Sequence, residues 1–246
     1  MNIYCEDNIF YMKIYLVETG LDKKALLGMD HNLDAILSNY SAGKSDGSIL
    51  MLLRKLIYKD ERRLLPVFDN LVNIAKEMRK YGLDSYDIGN WRNWGVKNGH
   101  LAIFDVGYGD KHEHIGDIPM LEEGPPQSAP EIALKLLDKV KGYFNIREYG
   151  YLGGGGNGAA FEIENNNVLK ITTDKSEASN ALKIRGKNLE YIADIRNVFS
   201  KVFEKEQYYI ILLEKLMLGT KKYQDAYADI DSYIYLLWKK INNIVW

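Results

Sequence analysis

YGYLGGGGNGAAFEIENNNVLKIT, residues 149–172, is the stretch on which the reading of this chain turns. Tyr149–Leu152 and Ala159–Ile163 carry the aromatic and branched side chains of strands, and between them lie four consecutive glycines followed by Asn157-Gly158. The asparagines Asn165-Asn166-Asn167 predict a turn, after which Val168-Leu169-Lys170-Ile171 predicts a third strand. The stretch therefore reads as a β-loop-β-turn-β meander. Gly153, Gly155 and Gly158 have G-x-G-x-x-G spacing, which suits either a flexible turn or a backbone able to approach phosphates. A dinucleotide-binding loop would open a helix, whereas a strand follows here.

On the C-terminal side, the pattern predicts a helix over about 176–187, strands near 196–204 and 207–214, and a long helix over 223–243. Tyr223, Tyr227, Ile230, Ile234, Leu237 and Ile241 form its apolar stripe. On the N-terminal side, Ser128-Ala129-Pro130-Glu131 spells a capping box opening a helix to about Lys141. Before it, residues 110–130 hold four of the five prolines and read as a linker. Residues 61–81 place Leu64, Phe68, Leu71, Ala75 and Met78 on one helical face. A hairpin follows, with its first strand ending at Val96, a turn at Lys97-Asn98-Gly99, and LAIFDV (101–106) as its second strand. Residues 145–216 thus predict a small, mostly β lobe and the rest a mainly helical one, an α+β chain.

Composition narrows the function. The formal net charge is −2, so no nucleic-acid or anionic-membrane partner is expected. Residues 106–110, VGYGD, spell a potassium-channel filter, but a filter requires spanning helices of about 20 apolar residues. The most apolar runs, 49–58 and 208–218, are interrupted by Arg54 and Lys55 and by Glu214 and Lys215. No signal-peptide pattern opens the chain, and Cys5 is the sole cysteine, so a cytoplasmic location is expected. His112 and His114 in DKHEH could ligate a metal, but that spacing alone favours a solvated polar turn several times over.

Chemistry gathers around Lys170. Phosphates concentrate negative charge, a lysine beside a glycine loop would answer it, and a carboxylate must hold that lysine in place. Glu177, in the first turn of the following helix, is the candidate. In this context residues 145–220 resemble the N-lobe of a protein-kinase-like fold. The run LGGGGNGAAFEIENNNVLKITTDKSEA is similar to small kinase-like proteins encoded by tailed bacteriophages. The strand Ile210–Leu213 running into Glu214-Lys215-Leu216 resembles the hinge whose backbone meets the adenine edge.

In that family the catalytic loop and metal aspartate follow the N-lobe. Here the matching residues precede it: Asp87 through Gly95, then Asp105 in D-x-G, with Asn93 twelve positions ahead of Asp105. The resemblance implies a bilobal, circularly permuted kinase-like fold with a small antiparallel β N-lobe and a reduced helical C-lobe. Residues 1–117 would carry the catalytic loop and D-x-G, 118–130 a linker, 131–216 the N-lobe, and 217–246 the helix after the hinge. It implies an ATP- and Mg²⁺-dependent phosphotransferase acting on Ser/Thr hydroxyls. Asp87 would be the base, Asn93 and Asp105 metal ligands, and Lys170 the phosphate-binding lysine held by Glu177. Gly153, Gly155, Gly158, Glu214 and Leu216 would line the nucleotide. A protein substrate or host-protein partner is implied, in the host cytoplasm if the chain is phage-encoded.

Two alternatives stay open. Asp87 stands six residues before Asn93 where the family has five, which also suits a catalytically silent kinase-like module that binds nucleotide or a host protein. Two copies could instead complete each other as a domain-swapped dimer.

Overall fold

The computed structural model describes residues 30–83, 88–90, 93–106, 129–155, 157–218 and 221–243. In chain order the elements are α1 (Leu33–Ser41), α2 (Ser48–Asp60), a 3₁₀ turn (Arg62–Leu64), α3 (Leu65–Lys80), β1 (Trp94–Lys97), β2 (His100–Ile103), α4 (Ala129–Val140), β3 (Tyr149–Gly155), β4 (Gly158–Ile163), β5 (Asn167–Thr172), α5 (Lys175–Ile184), β6 (Ile195–Phe203), β7 (Glu206–Glu214), β8 (Met217–Leu218) and α6 (Lys221–Asn243). The fold is α+β, and each strand pairing described below is antiparallel. The chain divides into two compact units, one of residues up to Ile103 together with those from Leu218 onward, the other Phe104–Met217. The divisions fall at 103/104 and 217/218, so Asp105 lies in the same unit as the β meander.

In the first unit α3 is the central helix. Leu64, Phe68, Leu71, Ala75 and Met78 are all buried, the face the three- and four-residue spacing predicts. Pro66 sits in its first turn, where a missing N–H leaves no hydrogen bond unmade. α1, α2 and α6 pack on α3, and α6 contributes Ile230, Ile234 and Leu237 to the core. The β1–β2 hairpin is tighter than expected. Lys97 pairs with His100 inside the ladder, and Asn98 (φ 50°) with Gly99 (φ 84°) makes a two-residue turn. β2 ends at Ile103 rather than Val106. Its partner β1 begins at Trp94, opposite Ile103, so the β1–β2 ladder runs out there.

The second unit is built on a five-stranded sheet in the order β3-β4-β5-β7-β6. The glycine hairpin, the asparagine turn and the β6–β7 hairpin each join neighbouring strands. Asn165 (φ 61°) and Asn166 (φ 57°) take the left-handed backbone that asparagine tolerates, while Asn167 already pairs in β5. The pleat sorts side chains by parity. Ala159, Phe161, Ile163, Leu169, Ile171 and Ile210 turn to one face, where Ala133, Leu136, Leu137 and Val140 of α4 cover them. Lys170, between Leu169 and Ile171, is thereby directed to the opposite face. α5 packs against β6 and β7.

Of the expected capping box, Ser128 lies outside the described residues. So do Asp87, His112, His114 and the proline-rich stretch up to residue 128.

Candidate functional site

Lys170 is the centre of the site. It pairs across the sheet with Ala160 on β4 and Ile211 on β7, so its backbone is fixed on both sides. Its ammonium donates to Asp105 Oδ2 at 2.8 Å and is ion-paired with Glu177 Oε1. The Lys170 side chain is 18% exposed, Glu177 6% and Asp105 29%, so Asp105 forms the open side of the triad.

Each carboxylate has its own support. Asp174 is the N-cap of α5, accepting from the N–H groups of Ser176 at 2.7 Å and Glu177 at 3.2 Å. That cap starts the helix where its third residue, Glu177, faces Lys170. Thr172, buried at the end of β5, accepts from the Asp174 N–H at 3.0 Å. Asp105 lies in the segment after β2. Asn180, one turn beyond Glu177 on α5, donates its side-chain amide to the Val106 carbonyl at 2.9 Å.

The electrostatics follow from burial and count. Burial works against the Lys170 charge, but Glu177 and then Asp105 outweigh it and hold the ammonium above the ordinary lysine range. Burial pushes the Glu177 carboxyl up to about 7; Lys170 opposes this and the charge of Asp105 adds to it. Above about pH 7, where Glu177 is ionised, two carboxylates sharing one ammonium leave the cluster with excess negative charge at its exposed edge.

The glycines fall into two kinds. A Cβ on Gly153 would meet nothing within 4 Å, whereas on Gly158 it would lie 2.0 Å from the Ile171 carbonyl oxygen. Gly158 is required by the close approach of β4 to β5, independent of any ligand. Gly155 pairs with Gly158 across the hairpin, and the Asn157 carbonyl accepts from the Thr173 N–H at 2.7 Å, tying the loop to the end of β5.

At the other end of the sheet, the Glu214 N–H donates to the Asp194 carbonyl at 2.9 Å and Lys215 N–H to the Asn166 carbonyl at 3.0 Å. Leu216 is buried. The Glu214 amide is thus committed to the protein's own backbone rather than turned outward. Asn93 belongs to the other unit, just before β1, with its N–H on the Asn90 carbonyl at 2.9 Å.

A magnesium ion bound as a nucleotide complex takes few protein ligands, its remaining ligands being phosphate oxygens and water. One partly exposed carboxylate, Asp105, beside a lysine suits that demand. The residues sequence reasoning missed are Asn180 and Thr172. A polar residue three positions after Glu177, on the buried face of a short helix, was the available signal for Asn180.

No protein-family model, curated protein or solved structure matches the chain.

Proposed function

We propose that the protein is an ATP- and Mg²⁺-dependent phosphotransferase of the protein-kinase type, acting on a hydroxyl acceptor. The observation that carries this reading is Lys170 held between Glu177 on the following helix and Asp105 from a distant segment. Kinases use a lysine on the strand after a glycine hairpin, a glutamate on the next helix and a metal-binding aspartate in this relation. An ordinary surface ion pair needs neither burial nor a second carboxylate.

Lys170 would contact the nucleotide's phosphates, Glu177 would keep its ammonium aimed, and Asp105 would hold the magnesium. That ion, when bound, neutralises charge on the phosphates. Gly153 would let the β3–β4 loop lie close over them. Asp87 and Asn93 enter as base and second metal ligand on the strength of the family resemblance. Because Asp105 and Lys170 meet within one chain, the reading needs no second copy, and it takes the chain as circularly permuted. A host cell's cytoplasm and a protein acceptor belong to the same proposal.

Thermal unfolding tests it. ATP with Mg²⁺ at about 100 times its Kd should stabilise the protein by about 2.7 kcal/mol, and chelation should remove most of that gain. Radiolabelled ATP should then label a generic protein acceptor, with the signal lost in D105N. Stabilisation without label would leave the nucleotide-binding, catalytically silent module; neither effect would refute both.

A further inference from the structure

Asn180 is 3% exposed, a polar side chain inside the packed face of α5 alongside Ala178, Ala181 and Ile184. Burying an amide is unfavourable unless its groups are bonded, and these are. Its Nδ2 donates to the Val106 carbonyl at 2.9 Å and its Oδ1 accepts from Lys183 Nζ at 3.1 Å. Lys183, one turn further on, polarises the amide and strengthens its donor end. Val106 immediately follows Asp105, and its own side chain is buried.

Helix α5 therefore touches both halves of the charged triad. Glu177 holds Lys170 directly, and Asn180, three positions later on the same face, holds the backbone beside Asp105. The second grip acts on a main-chain carbonyl, so it fixes where Asp105 begins without consuming the carboxylate. We propose that Asn180 is a positioning residue that couples α5 to Asp105, so that the helix orienting the phosphate-binding lysine also sets the magnesium-binding carboxylate. This role rests on the nucleotide site proposed above. If α5 shifts, lysine and aspartate lose their alignment together.

The decisive quantity is the gain in affinity that magnesium gives a non-hydrolysable nucleotide. Affinity for AMP-PNP is measured by calorimetry with Mg²⁺ and again with EDTA, in wild type, N180L, N180Q and D105N. Wild type should bind at least about tenfold tighter with Mg²⁺. N180L should keep its EDTA affinity within about twofold, because Lys170 and Glu177 are untouched, while the magnesium gain falls to about twofold as in D105N. N180Q, which retains the donor, should recover part of the gain.

A full magnesium gain in N180L where D105N has lost it would overturn the role. So would an equal loss in EDTA, which would mean that the bond merely supports the fold. Absence of AMP-PNP binding to wild type under both conditions would bring down the nucleotide site itself, an outcome distinct from the other two. Should N180L fail to fold, amide exchange in wild type decides. Adding Mg²⁺ to the AMP-PNP complex should slow exchange at 104–106 and along 175–184 together, and protection confined to 104–106 would refute the coupling.

Discussion

Asp105 and Lys170 stand 65 positions apart in the chain and 2.8 Å apart in space. No local rule of helix or strand brings them together; the fold does. Lys170 is supplied by the pleat of β5 and Asp105 by the segment that follows β2. Their meeting turns a common lysine–glutamate pair into a cluster with one cation and two anions.

Removing the cation should therefore hurt more than removing one anion. K170M leaves Glu177 buried without a counter-charge and close to Asp105. Breaking such a pair costs about 3–5 kcal/mol when fully buried, and the 29% exposure of Asp105 puts the expected loss near the lower end. The double variant K170M/E177L should recover a large part of it, since a well-packed apolar pair replaces the stranded charge. Denaturant titration of the two variants checks this, and a double variant no more stable than K170M would contradict it.

Gly158 and Gly153 should separate cleanly. Alanine at Gly158 sets a Cβ 2.0 Å from the Ile171 carbonyl, so β4 must move away from β5, costing about 1–3 kcal/mol as overpacking does. Alanine at Gly153 enters open space and should leave the melting temperature unchanged. If the loop covers phosphates, G153A should still weaken ATP binding. Equal stability loss in both variants would contradict the geometry.

Much of the β unit was legible because its strands alternate and its turns carry asparagine and glycine. The pairing of Lys170 with Glu177 was legible because Glu177 is the carboxylate in the first turn of the helix that follows the Lys170 strand. The end of β2 was not legible, because LAIFDV stays apolar to Val106 apart from Asp105 and only the length of β1 stops the ladder. Helix α2 was hidden by its own composition, an apolar run in which Arg54 and Lys55 obscure the buried face of Leu52, Leu53, Leu56 and Ile57. The approach of Asp105 to Lys170 rested on family resemblance alone, since spacing says nothing across 65 residues. Asn180 left only its polar place on the buried face of a short helix as a signal, because its partner is a backbone carbonyl, which leaves no mark in a side-chain pattern.

Glu177 sets a pH dependence. Its carboxyl is raised from 4.5 to about 7 in the folded protein, so between these values the folded state keeps a proton that the unfolded chain has released. Its contribution is therefore fully present below 4.5 and declines as pH rises through 7. Lys170, also raised, contributes fully below 10.5 and does not alter the slope in this window. E177Q removes the titration, so its stability relative to wild type should rise from pH 4.5 to 7.5 and level off above. A flat difference across that range would show that Glu177 titrates at its ordinary value.

In the other unit Asp34 anchors the backbone just after residue 87. Its Oδ1 accepts from the Gly89 N–H at 2.6 Å, and the neighbouring Ile88 carbonyl accepts from Trp94 Nε1 at 2.6 Å. Tyr227 of α6 packs edge-on against Trp94 at 5.1 Å, and a Cβ on Gly89 would lie 2.2 Å from its hydroxyl oxygen. Burial, with Asp34 and Asp231 nearby, holds that hydroxyl protonated well above its ordinary range. A hydrogen bond to a charged acceptor is worth about 1.5–3 kcal/mol, so D34A should lower the melting temperature by several degrees. D34N keeps an acceptor oxygen and should lose less. Neither change touches Lys170, Glu177 or Asp105, so AMP-PNP affinity should stay within about twofold of wild type. If Asp87 supplies the base, phosphate transfer should fall in D34A far more than nucleotide binding does. Parallel loss of both would mean that Asp34 supports the whole fold rather than this one segment.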